Sequence, residues 1–280
     1  MKRFFADGRR LTAGYWSARL LLALLIVSTI FPFLLMLFMS GKAGIQIQTD
    51  FWGVPDRIEW QNYAKAAQYI ARPVMNSLLI AFSTIAGVLV LVSMSGYAFG
   101  RHRFYGKEPL FLLFIGVMMI PSVLMIVPLF AIVSQLKLLN NYLALILPYM
   151  SGLQLFGILL ARTFYASLPE EMFEAARMEG AGETYLFTRI ALPLSVPILI
   201  TVGITSLIAV YTDYVWPTLT LSGEAKKTFT QAVFTISTGS STDYGLTTAG
   251  FVLGTIPLLV ITVSCLKYYV EGMLQGAVKG

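Results

Sequence analysis

The sequence is poor in the residues from which reactive sites are usually assembled. One cysteine, Cys265, and one histidine, His102, stand among 280 residues. That excludes a disulfide framework, argues against a metal cluster and leaves no Ser-His-Asp or Cys-His constellation. Charge is scarce as well, with 12% of residues charged against ~25% in a soluble domain. Apolar residues take the space instead, at 57% of the chain. This composition points to an integral membrane protein.

Crossing ~30 Å of hydrocarbon takes ~20 apolar residues in a helix. Six runs reach that length, at about 20–39, 74–99, 109–134, 142–163, 194–219 and 246–267. They are continuous rather than alternating. Helices are therefore expected and not the strands of a barrel, because lipid offers nothing to an unpaired backbone group. The reading is an all-α membrane protein with six spans forming one domain over residues 1–280. The first run follows Lys2, Arg3, Arg9, Arg10 and Arg19, as a signal peptide would. It is longer than a signal core and no A-x-A-like site follows, so it is expected to stay as the first helix.

With the N-terminus inside, thirteen Lys and Arg residues fall on inner segments and seven on outer loops. Both termini and residues 164–192 are then expected in the cytoplasm, with 40–73 and 220–245 outside. The pI near 9.4 follows from this asymmetry and from anionic lipid, so no nucleic acid is needed to explain it. Pro121 and Pro128 interrupt the third run, while Pro32, Pro148 and Pro257 favour kinks in the first, fourth and sixth. Gly96 and Gly100 have the spacing of a close helix contact. The stretch "GRHRFYGKE" at 100–108 has the wrong spacing for a phosphate loop, with Glu108 where a hydroxyl should hold magnesium. It reads as a basic turn.

One short segment breaks the apolar pattern. "SLPEEMFEAARMEGAG", residues 167–182, is acidic and bears Ala and Gly. "SLPE" has the form of a capping box, with Ser167 and Glu170 closing a helix start and Pro169 in its first turn. Glu170, Glu171 and Glu174 suit the positive end of the helix, and Glu174 is placed to pair with Arg177. Gly180 ends the helix, Gly182 loosens the chain, and a second short helix is expected over about 183–190. Phe173, Ala176 and Met178 give this pair an apolar surface, and Ala175 lets another backbone approach. A helix lying on lipid is the plainer alternative, but such helices are usually basic. The acidity favours a protein partner.

At these residues the chain resembles a known family. "EAARMEGAG" followed by "IALPLSVP" is similar to the loop signature of permease subunits of bacterial ATP-binding-cassette importers, carried here by Glu174, Ala175, Ala176, Gly180, Ile190, Leu192 and Pro193. "GYAFGRHRFYGKEPLF", "MMIPSVLMIVPLF", "LLNNYLALILPY" and the terminal "GAVKG" are similar to the carbohydrate-importing branch, that of the shorter membrane subunit of the maltose transporter. The resemblance covers roughly residues 60 to 280.

It implies the type I importer permease architecture, in a multi-pass protein of the bacterial cytoplasmic (inner) membrane. It also implies a second related permease, two ATPase subunits and a soluble or lipid-anchored solute-binding protein as partners. The segment 167–192 would be the coupling helix pair, with Glu170, Glu171, Glu174, Ala175, Ala176, Gly180 and Ala181 facing the ATPase. This chain would bind no cofactor and would not be an enzyme; ATP and magnesium would belong to the partner subunits.

The solute would be a sugar, an oligosaccharide or a similar molecule. Glycerol phosphate in the same architecture, or a stand-alone secondary transporter, are the alternatives. Where the family has a Trp-Asn-Asp/Glu-Phe-like stretch, this chain has "VYTDYVWP". Tyr211, Asp213, Tyr214 and Trp216 are the candidates for the solute path. The Gly- and Ser-bearing outer loop nominates Ser237, Thr238, Gly239, Ser240 and Ser241 for contact with the binding protein.

Overall fold

The structure is a computed structural model that describes residues 13–237 and 243–277. Regular structure among these residues is helical throughout. Four unbroken helices are long and apolar enough to cross a membrane: Tyr15–Ser40, Trp60–Arg101, Leu143–Ser167 and Tyr244–Tyr269. Two bent pairs bring the total to six when each counts as one span. The chain separates into two compact units, Met1–Ala67 with Ile236–Leu253 and Gln68–Thr235 with Gly254–Gly280. The boundaries fall inside helices that each contribute to both units.

The first unit holds α1 (Ala13–Ser40), α2 (Gly44–Thr49) and the first turns of α3 (Trp60–Arg101). The carbonyls at the end of α1 need partners outside the helix. Asn62 supplies them, its Nδ2 donating to the carbonyls of Ser40 and Lys42 at 3.1 and 2.9 Å. Ser40 Oγ lies 2.6 Å from the Tyr63 hydroxyl.

The second unit takes the rest of α3 and then α4 (Lys107–Met118), a 3₁₀ turn at Ser122–Met125, α5 (Ile126–Gln135), α6 (Leu143–Ser167) and α7 (Glu170–Met178). After these come α8 (Glu183–Tyr185), a π-helical turn at Leu186–Ala191, α9 (Leu192–Leu194), α10 (Val196–Thr212), α11 (Val215–Thr220) and α12 (Phe229–Ser237), whose last two residues belong to the first unit. α13 (Tyr244–Ala277) runs through both units.

Two expected spans differ from the sequence reading. The run at 109–134 is not one helix: the chain turns by 93° between Met118 and Ser122. Pro121 stands at the turn with ψ 126°, a conformation outside the helix and without an N–H to continue the ladder. Pro128 does not interrupt anything, because it lies in the first turn of α5, where a missing donor is harmless. Pro32, Pro148 and Pro257 sit inside helices that remain unbroken. The run at 194–219 also divides. α10 ends at Thr212, Asp213 is extended at ψ 132°, and α11 begins at Val215.

Within lipid, apolar surface gives helices little reason to associate, so close packing has to do it. A Cβ on Gly96 would strike Ala161 of α6, and one on Gly100 would lie 2.7 Å from Tyr165 Cβ and 3.1 Å from the Arg162 carbonyl. The Gly96-to-Gly100 spacing is thus where α3 meets α6. Gly96→Val should lower the thermal stability of the purified protein by about 1–3 kcal/mol, the cost of overpacking. Gly116→Val should not, since nothing lies within 4 Å of a Cβ there. A thermal-aggregation assay in detergent reads both, and equal melting for Gly96→Val and wild type would refute the contact.

Candidate functional site

α7 is held at both ends, and each end has a local cause. At its start Pro169 is extended, with ψ 133° and no side-chain cap. The expected capping box does not form. α6 runs on through Ser167, so this residue is helical and its Oγ donates back to the Phe164 carbonyl at 2.8 Å. Glu170 turns instead to two arginines, since a charged pair is stronger than a neutral cap.

At the other end Gly180 takes φ +87°. The Ala181 N–H donates to the Ala176 carbonyl at 3.0 Å and the Gly180 N–H to the Arg177 carbonyl at 2.9 Å. This is the Schellman arrangement, which satisfies the last carbonyls and reverses the chain.

Charged side chains then tie the hook to the spans. Arg101, the last residue of α3, has a side chain only 9% exposed. It donates to the Leu168 carbonyl at 3.2 Å, pairs with Glu170, and lays its guanidinium 4.0 Å from the Phe173 ring centre. Arg177 bridges Glu170 and Glu183, both at 3.2 Å. Its hydrogen bonds to these carboxylates, Glu170 first, push its pKa further up. Glu183 Oε2 accepts from the Tyr97 hydroxyl at 3.3 Å and lies 3.7 Å from His102 Nε2. The order Arg101, Glu170, Arg177, Glu183, Tyr97 and His102 links α3, α7 and α8. Exposed pairs add little singly, but Arg101 is nearly buried and the chain of contacts acts as a brace.

Two expectations are corrected here. Arg177 pairs with Glu170 and Glu183 rather than Glu174, because those carboxylates flank it across the hook. Phe173 gives no outer surface; it is fully buried under Arg101. Ala176 and Ala181 pack against the same core. What faces outward is Glu171, Glu174, Ala175, Glu179 and Gly180, with Met178 89% exposed and Tyr185 beside them. The expected second short helix is present as α8, the π turn and α9. Arg162 pins α4 to α6, meeting both oxygens of Glu108 at 2.9 and 3.0 Å and covering Phe111.

The other candidates gather where α10 stops. Asp213 Oδ1 accepts the N–H groups of Val215 and Trp216 at 2.9 and 3.4 Å, so the carboxylate caps α11. Its Oδ2 accepts the Tyr149 hydroxyl at 2.7 Å, and its carbonyl accepts Thr230 Oγ1 at 2.6 Å.

Tyr211 and Trp216 are buried. Tyr211 donates to the Gly254 carbonyl at 2.7 Å and stacks on Phe229; Trp216 Nε1 donates to the Ala144 carbonyl at 2.9 Å. Tyr214 is partly exposed and lies 4.4 Å from the Phe234 ring centre. Ser237 ends α12, while Thr238, Gly239, Ser240 and Ser241 lie outside the described residues.

Sequence reasoning missed Tyr149, 64 positions before Asp213 in the chain. It also missed a cavity of about 680 Å³ that Tyr149 lines together with Met125, Pro128, Pro148 and Phe156. The 93° bend between α4 and α5 opens the cavity, since Val117, Met118 and Ile120 line it from one side of the bend and Ile132 from the other.

Residues 92–270 match the family model described as the inner membrane component of binding-protein-dependent transport systems. The chain belongs to that family. It is a multi-pass ABC importer permease. A probable ABC transporter permease protein of Bacillus subtilis, YurM, is 30% identical over 97% of this permease and 91% of that protein. The arabinooligosaccharides transport system permease protein AraQ of Halalkalibacterium halodurans is 30% identical over 73% of each chain.

A chain from the crystal structure of a bacterial ABC transporter involved in the import of the acidic polysaccharide alginate superposes with a TM-score of 0.77. It covers 90% of this permease and 95% of that chain at 20% identity, a likeness of fold. Family membership implies ATPase and binding-protein partners.

Proposed function

We propose that this permease passes a sugar or oligosaccharide inward and that the α7 hook transmits ATPase closure to the spans. The observation that carries the coupling role is the hook's division of labour. Its inner side is braced through Arg101, Glu170, Arg177 and Glu183 to α3 and α8, and its outer edge presents Glu171, Glu174 and Met178 to a partner. A push on that edge moves the base of α3 rather than a loose loop.

The partner set we infer is a second related permease, two ATPases that bind ATP and magnesium, and a solute-binding protein. Support for a carbohydrate comes from relatives such as the arabinooligosaccharides transport system permease protein AraQ. In the solute path, Asp213 and Tyr149 shape the wall, and Tyr214, partly exposed beside Phe234, is the ring placed to meet a solute.

The inferred orientation puts α7 in the cytoplasm and both termini with it. Met178→Cys in a Cys265→Ser background should resist a membrane-impermeant thiol reagent in intact cells and react in inverted vesicles. Labelling from outside would reverse the topology and remove the coupling role. The complementary measurement is ATP hydrolysis by the reconstituted importer. Loaded binding protein should stimulate it in wild type, and Glu174→Lys, which reverses charge on the outer edge, should abolish the stimulation. Unchanged stimulation would refute the contact.

A further inference from the structure

The segment after α1 contains a wholly buried lysine that coupling and transport do not use. Lys42 has no exposed surface, and its Nζ donates to the main-chain carbonyls of Asp50 and Phe51 at 2.7 and 3.1 Å. Taking an ammonium out of water is costly unless its donors are met. Here it closes a loop, drawing residues 50 and 51 back to the end of α1. Asp50 Oδ1 accepts the Gly53 N–H at 3.0 Å, and Gln46 Nε2 donates to the Val54 carbonyl at 3.1 Å. The turn is stitched on both sides.

The consequence is the position of Trp52. Its ring stacks on Phe31 of α1 with centres 6.3 Å apart and planes 24° apart, while Phe51 meets it edge-on at 4.9 Å. Phe31 lies nine residues before Ser40, the last residue of α1, which is about 13 Å back along the helix. The headgroup layer is about 5–7 Å deep on each side. With Ser40 at its outer edge, the Phe31 level lies in hydrocarbon. Trp52 is 71% exposed at that level, and Ile45 at 76% and Val54 at 67% are exposed in the same segment. On α1, Val27, Ile30 and Leu34 are open as well.

We propose that residues 44–54 form a membrane anchor, with Trp52 inserted among the acyl chains along α1 and Lys42 as the residue that positions it. The partner is lipid, argued from depth and from continuity with the open surface of a membrane span. Tryptophan suits such a place, having a large apolar ring with one polar edge.

The test uses the assembled importer in bilayers, with Trp52→Phe as a reference whose emission is subtracted from wild type. The difference spectrum, which isolates Trp52, should be blue-shifted and should fall by about two-fold or more in phosphatidylcholine brominated along its acyl chains. Lys42→Met keeps the length of the side chain and removes the donors. It should shift the Trp52 emission to the red and abolish the bromine quenching while the importer still assembles. Phe31→Ala, which leaves Lys42 in place, should weaken the quenching in part. Blue emission without bromine quenching would mean that a protein subunit covers the ring, and red emission would mean water. Either result overturns the proposal, as does Lys42→Met that assembles and quenches like wild type.

Discussion

Gly180→Val should cut ATP hydrolysis stimulated by the loaded binding protein by about ten-fold, with insertion and subunit assembly unchanged. The size follows from the backbone. At φ +87° a β-branched residue costs roughly 1–2 kcal/mol, and 1.4 kcal/mol corresponds to about ten-fold in an equilibrium. Crowding plays no part, since nothing lies within 4 Å of a Cβ at this position.

The residue series therefore has a distinctive order. Asn, which visits the left-handed region more readily, should stay near wild type, Ala should be intermediate and Val worst. A loss that followed side-chain volume instead, with Asn worse than Ala, would point to an outer contact at Gly180 and away from the turn. Full stimulation with Val would refute the turn's role altogether.

Asp213→Ala should destabilise the second unit by about 2–4 kcal/mol, as the sum of two separate losses. Removing the cap from α11 costs about 1 kcal/mol, and leaving the Tyr149 hydroxyl without its acceptor costs about 1–3 kcal/mol more. Asp213→Asn retains one acceptor and should cost less than half as much. Tyr149→Phe removes the other side of the pair. In a double-mutant cycle the two should couple by roughly 0.5–3 kcal/mol, as expected for residues in contact. Thermal unfolding in detergent gives the stabilities, and transport at matched membrane levels gives the functional cost. Additive effects would show that the bond between them contributes nothing.

The features legible in the sequence are those with local causes. Apolar length alone placed the unbroken helices, because lipid selects composition over ~20 residues. Gly180 was legible for the same reason: a left-handed turn is a property of one residue and its neighbours. The capping box at Ser167 followed a local rule and still failed, because α6 extends through Ser167 and Glu170 is claimed by Arg101, 69 positions earlier.

Phe173 was placed on the outside because α7 has apolar residues on more than one side. Its packing into the core with Tyr165 and Leu186, under Arg101, decides which side is buried. The end of α10 was hidden by an apolar run that continues past it. The break depends on what Asp213 bonds to, and Tyr149 and Thr230 lie on other helices.

The 93° break between α4 and α5 bears on the life of the protein before it is assembled. A break frees carbonyls from the helical ladder, and irregular backbone at membrane depth is tolerated only where protein covers it or water reaches it. Met119, Val123 and Leu124 at this break are 79%, 72% and 68% exposed. In a newly made copy without its neighbours this stretch should therefore be less well covered than in the assembled importer. The copy's survival in the cell should then depend on how soon a companion subunit is synthesised beside it.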